Sequence, residues 1–128
     1  MILVDTNILI AIIRTGNPKF VGVLQQHVGA VCGAIRAELL AGVRSPAERN
    51  QALSMLATLG TVSTPESVWD DVGDNLRTLR TNGVTVPFPD AVLATLAIAN
   101  NLELWTRDAH FTLIQKWLPA LKLFQEPP

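Results

Sequence analysis

What most constrains this chain is how regularly short apolar runs alternate with helical segments. Met1-Ile2-Leu3-Val4, Ala30-Val31-Cys32, Thr61-Val62-Ser63, Leu102-Glu103-Leu104-Trp105 and Leu121-Lys122-Leu123 each span only a few residues. Between them lie stretches with helical period, bounded by Gly, Pro, Asn or Ser. Strands this short and this apolar belong to a parallel sheet covered on both faces, because parallel strands need helical crossovers. The expected class is therefore α/β: one domain over residues 1–128, with a central parallel sheet of four to five short strands flanked by helices.

Local signals divide the helices. Asn7 is expected to cap a first helix, Ile8 to Arg14, that stops near Gly16-Asn17-Pro18. Pro18 opens a second helix to about His27, and a third runs from Ala34 to Ala41. Ser45-Pro46-Ala47-Glu48 has the pattern of a capping box with proline at the first helical position, opening a helix to about Leu59. Thr64-Pro65 starts a long helix whose stripe Trp69, Val72, Leu76, Leu79 points inward, ending near Asn82-Gly83. Pro89 begins a helix that is apolar all round to Ala99, and a short helix from Ala109 to Trp117 precedes the last strand. Trp69, Trp105 and Trp117 are expected in the core, with Trp117 also placed to serve an interface.

At 128 residues and 48% hydrophobic, the chain can bury a core without disulfides and is not a disordered sequence. Its one cysteine, Cys32, reads as a buried thiol. No signal peptide is visible, and the apolar runs fall short of the roughly 20 residues that span a bilayer. A cytoplasmic location with no membrane contact is expected. The net charge of −1 lacks the strong basic excess of proteins that hold nucleic acid by bulk electrostatics.

Open parallel sheets carry their sites beyond the carboxyl ends of the strands, where strand order reverses. Four acids fall there. Asp5 ends the first strand, Asp108 follows the strand Leu102 to Trp105, Asp90 opens the apolar helix, and Glu38 lies in the helix after the second strand. Ala34, Ala41 and Gly42 share the Glu38 face of that helix and leave room for close approach. Each acid alone has an ordinary role as a cap, a dipole partner or a solvated position. Together they would repel one another unless a cation is bound. Oxygen donors without cysteine or histidine pairs point to Mg²⁺, or Mn²⁺, and that chemistry suits phosphodiester hydrolysis by an activated water.

The residues around these acids resemble the PIN domain and, within it, the VapC-type toxins of bacterial toxin–antitoxin pairs. The segments are I-L-V-D-T-N at the start, A-E-L-L-A-G around Glu38, P-D-A-V-L-A-T-L-A around Asp90 and L-W-T-R-D-A-H-F around Asp108, in an order and spacing that cover essentially the whole chain. The resemblance implies a metal-dependent endoribonuclease acting on RNA, a homodimer, and a cognate antitoxin protein that enters the active-site groove. It makes Asp5, Glu38, Asp90 and Asp108 the acidic quartet that binds metal and carries catalysis. Thr6 and Thr106 would support the metal waters or the carboxylates, and Asn7 is weighed for the same part.

Arg107, Arg14 and Arg44 are the candidates for RNA-phosphate contacts. His110 is read first as a cap or packing residue, then as a substrate contact or proton carrier. Asp70, Asp71 and Asp74 read as a solvated helix face, with Asp74 pairing to Arg77. The alternative function is a PIN-fold module, weak or inactive in catalysis, that binds RNA or protein. A haloacid-dehalogenase-like phosphatase also wants an Asp after the first strand. It needs a second two residues later, where this chain has Asn7.

Overall fold

The computed structural model describes residues 1–128. Five strands form one wholly parallel sheet: β1 (Ile2–Val4), β2 (Gly29–Cys32), β3 (Gly60–Val62), β4 (Glu103–Trp105) and β5 (Lys122–Leu123). Their order is β3-β2-β1-β4-β5, so β1 is central and the chain reverses direction across the sheet on either side of it. Seven helices flank the sheet: α1 (Thr6–Thr15), α2 (Pro18–His27), α3 (Gly33–Ala41), α4 (Pro46–Thr58), α5 (Ser67–Thr81), α6 (Phe88–Ala99) and α7 (His110–Trp117). This is the expected architecture, with five strands.

The register of β1 positions the site. Ile2, Leu3 and Val4 pair with Glu103, Leu104 and Trp105. Asp5 and Thr106 therefore leave the sheet side by side. The Asp5 N–H donates to the Trp105 carbonyl at 2.9 Å and extends the ladder to the point of departure. On the other flank, Leu3 pairs with Ala30, and β2 runs directly into α3. Gly29 allows this packing, since a Cβ there would sit 2.7 Å from a Leu24 methyl and 3.0 Å from one of Leu59.

Two local expectations change. The cap of α1 is Asp5, one residue past the strand, whose carboxylate accepts the Thr6 N–H at 2.7 Å; Asn7 lies inside the helix. The inward stripe of α5 is Val68, Val72 and Leu79 with Leu76 partly buried, which leaves Trp69 about one residue step round the helix and 41% exposed. Trp69 stacks instead on the exposed Phe88, and Trp117 is also at the surface. Only Trp105 is a core tryptophan, with Phe20 and Phe124 edge-on to it.

The Ser45 cap forms as expected. Its partner Glu48 accepts from the Arg44 N–H, one residue before the position a reciprocal box would use. Helix α6 is buried from Ala91 to Ala97, as its uniformly apolar sequence requires. Its one polar residue in that stretch, Thr95, donates to the Ala91 carbonyl and accepts from Asn75, so no hydroxyl is left unpaired. No helix is long and apolar enough to cross a membrane.

The core is continuous across both faces of β1, where Leu3 is fully buried. Leu3→Ala should destabilise the fold by about 2–5 kcal/mol through lost transfer energy and the cavity left in the central strand. A denaturant midpoint unchanged from wild type would contradict this placement.

Candidate metal centre

Four segments that leave the carboxyl edge of the sheet build the site. Asp5 comes from the end of β1 and Asp108 from the β4–α7 turn, while Glu38 lies on α3 after β2 and Asp90 on the first turn of α6. Asp5 is the most enclosed, at 8% exposure. Its carboxylate accepts from the Thr6 N–H at 2.7 Å, the Thr106 hydroxyl at 2.7 Å and the Asn7 amide at 3.3 Å. Thr106 also accepts the Asp108 N–H at 3.0 Å, so one hydroxyl ties two of the acids together.

Asn7 is better placed than its expected cap role allowed. Its amide nitrogen reaches both Asp5 and Thr106, and its carbonyl oxygen accepts the Arg107 N–H at 3.2 Å. It bridges the ends of β1 and β4 across the site. His110 is the residue most underrated from sequence. Its Nδ1 lies 3.2 Å from Asp90 Oδ2 and 3.2 Å from Asp108 Oδ1. Ligand atoms of Asp90, Asp108 and His110 all fall within 4.8 Å of one another. The available signal was its place two residues after Asp108, at the start of α7.

Three of the acids feel the charge of their neighbours. Burial pushes the Asp5 carboxyl above its ordinary value, and the nearby Asp108 adds to this against the three donors. Asp90 is raised by burial, then by Asp108 and Asp5, with His110 opposing. Glu38 is raised by burial and by Asp5 and Asp90. The face of α3 that bears Glu38 is more open than expected: Ala41 and Gly42 are exposed, and no element closes over them.

The donor set fits a hard divalent cation. It consists of carboxylate oxygens with one imidazole, carried by four elements, at a cost in self-repulsion that a cation would remove. The Thr6 hydroxyl, next to Asp5, is buried with no partner. A hydrated ion beside Asp5 would be a natural source of one.

The arginines are arranged differently from the sequence expectation. Arg14 pairs with Glu48 at 3.2 Å and sits near the far end of α1, roughly 12 Å along the helix axis from Thr6. Arg44 is exposed in the α3–α4 loop and contacts none of the acids. Helix length takes both away from the site, because α1 and α3 start at the carboxyl edge and these arginines lie at or beyond their other ends. Arg107 does lie at the edge, but its guanidinium forks onto Glu126 at 2.7 and 3.0 Å and rests over the Phe20 ring. Asp70, Asp71 and Asp74 stay exposed on α5, with Asp74 3.9 Å from Arg77, as a solvated face should.

A parallel sheet ordered 3-2-1-4-5 with acids converging at its carboxyl edge defines a class of α/β proteins with a polar site at the reversal of strand order. The chain belongs to the PIN domain family, whose model matches residues 2–116. Comparison with curated proteins gives no match. Among solved structures, a chain of VapBC2 from Rickettsia felis, bound to a DNA fragment from their promoter, superposes with a TM-score of 0.83 at 23% identity. The alignment covers 97% of this chain and 98% of that one. DNA-bound VapBC from Salmonella typhimurium gives 0.81 at 17% identity, covering 97% and 98%. A toxin–antitoxin complex from Klebsiella pneumoniae gives 0.74 at 20%, covering 99% and 100%. At these identities the likeness is one of fold.

Raised carboxyl groups give the site a pH signature. Between the ordinary carboxyl range, about 4, and the higher folded values, the metal-free folded chain holds more protons than the unfolded chain. Stability therefore falls as pH rises through that window and is lowest above it. A divalent cation bound to the ionised carboxylates would offset this loss. Mg²⁺ or Mn²⁺ should raise the melting temperature at neutral pH, and the gain should shrink as pH enters the window. Thermal melts with the cation or with EDTA check this, and coincident curves at neutral pH would count against a shared cation site.

Proposed function

We propose that this chain is a divalent-metal-dependent endoribonuclease and the toxin of a toxin–antitoxin pair. The observation that carries the proposal is the convergence of Asp5, Glu38, Asp90 and Asp108 at the carboxyl edge of a PIN fold, three of them with raised pKa. Asp5, Glu38, Asp90 and Asp108, with His110 beside them, would hold Mg²⁺ or Mn²⁺. When bound, the cation would draw charge from a phosphodiester oxygen and offset the charge growing on the leaving oxygen.

The chain's own groups divide the remaining work. Thr6 N–H, the Thr106 hydroxyl and the Asn7 amide fix the Asp5 carboxylate, so little reorganisation is needed when substrate arrives. His110 Nδ1 hydrogen-bonds Asp90 Oδ2 and lies 3.2 Å from Asp108 Oδ1, a contact that would keep these two carboxylates together before the cation binds.

The toxin assignment draws on the match in fold to chains of VapBC and toxin–antitoxin complexes over nearly their full length. An apolar groove between α1, α2 and α4, lined by Ile12, Val21, Leu24, Met55 and Leu59, holds none of the four acids and would seat a second, apolar part of an antitoxin whose inhibitory segment enters the active-site groove. A homodimer is part of the same proposal, and light scattering that shows only monomer over a wide concentration range would remove that part.

The deciding experiment maps cleavage ends on total cellular RNA with wild type and Asp5→Asn side by side, in Mg²⁺ or Mn²⁺ and in EDTA. Cleavage should require the cation and fall roughly a hundredfold or more in the variant. Equal cleavage by both proteins would overturn the assignment. RNA binding without cutting by wild type would favour a binding module on the same fold.

A further inference from the structure

A cleft of about 410 Å³ opens directly beside the acids, on the β5 side of the sheet. Thr106 and Asp108 line the end nearest the site, Thr112 of α7 lines one side, and Phe124, Gln125 and Glu126 line the other. This second side is firmly built. The Phe124 N–H donates to the Leu104 carbonyl at 2.8 Å, continuing the sheet past β5, and the Phe124 ring meets Trp105 edge-on. Glu126 accepts from Arg107 Nε at 2.7 Å, Arg107 Nη2 at 3.0 Å and Trp105 Nε1 at 3.1 Å. The Arg107–Glu126 fork leaves that wall close to neutral and in a single geometry.

Size and chemistry select the occupant. The volume lies at the small end of the roughly 300–1,000 Å³ typical of small-ligand sites, room for one nucleotide and too little for a duplex. Gln125 and Thr112 are both exposed. An amide supplies a donor and an acceptor, and a hydroxyl supplies either, which is the equipment that reads a base edge. Such edges are available in single-stranded RNA, whose bases can be splayed from the stack. Because Thr106 binds Asp5 and Asp108 lines the cleft, whatever fills it adjoins the metal centre.

We propose that this cleft is a nucleotide subsite, seating the base next to the scissile bond of single-stranded RNA and reading it through Gln125 and Thr112. The proposal rests on the RNA-cleaving function given above. It also assigns Glu126 and Arg107 a positioning role as the wall of the subsite, in place of a direct grip by Arg107 on phosphate.

The test has two arms. In the first, wild type, Gln125→Ala and Thr112→Ala cut a panel of single-stranded oligonucleotides in Mg²⁺ or Mn²⁺, with each base placed in turn at each position flanking the cut. The ratio between the best and worst base should fall roughly two- to tenfold at one flanking position, the range of a lost hydrogen bond. Ratios equal to wild type at every position would overturn the subsite while leaving the nuclease assignment intact. In the second arm, Asp5→Asn is titrated with a short single-stranded RNA and followed by NMR. The side-chain amide signals of Gln125 should shift on binding, and RNA that binds without moving them would overturn the subsite independently of cleavage. Shifts at Gln125 together with a wild type that cuts none of the panel in the first arm would retain a nucleotide site and remove the nuclease.

Discussion

The pairing of β1 with β4 is the constraint on which the rest depends. It sets Val4 opposite Trp105, and the Asp5 N–H closes onto the Trp105 carbonyl as the two strands end. Two residues that then leave the sheet together, Asp5 and Thr106, are joined by a hydroxyl-to-carboxylate hydrogen bond. Asn7 and Asp108 are drawn in through the same hydroxyl. A slip of one residue would put every side chain of β1 on the opposite face and part these groups. Ile2, Leu3 and Val4 are all buried while Asp5 leaves the sheet, so the apolar core and the polar site share a single register.

Much of the fold was legible in the sequence because its signals are local. Short apolar runs, Gly16 and Gly42 at helix ends, and prolines at the starts of α2 and α4 mark the boundaries without tertiary information. Position on the sheet edge was enough to gather Asp5, Glu38, Asp90 and Asp108. What sequence could not supply was orientation. Trp69 lies within a helical stripe by spacing, yet only packing against α6 shows that Val68 takes the inward place. Asn7 and His110 owe their roles to partners 99 and 20 residues away, and helix capping explained both residues from neighbours alone.

The arginines show the same limit from the other side. Proximity in sequence to an acid or to a helix of the site said nothing about where the long side chains go. Arg14 and Arg107 are each taken up by a glutamate, Glu48, which the sequence offered only as a helix-cap partner, and Glu126, which carried no signal at all. With a net charge of −1 and these two cations engaged by glutamates, the protein has no strong basic excess to draw nucleic acid to the site. Attraction of a polyanion to such a centre would then depend on the bound cation and on contacts with bases and sugars more than on lysine and arginine.

The sheet's edges carry a last consequence. Its border strands are β3, three residues long, and β5, two residues long. An incoming extended peptide would find at most a few backbone groups to bond, too few to hold it by strand addition. Recruitment of another chain by extending the sheet is thereby closed off. Recognition by other macromolecules falls to the helical surfaces and to the loops at the carboxyl edge, the part of the molecule where the acids already lie.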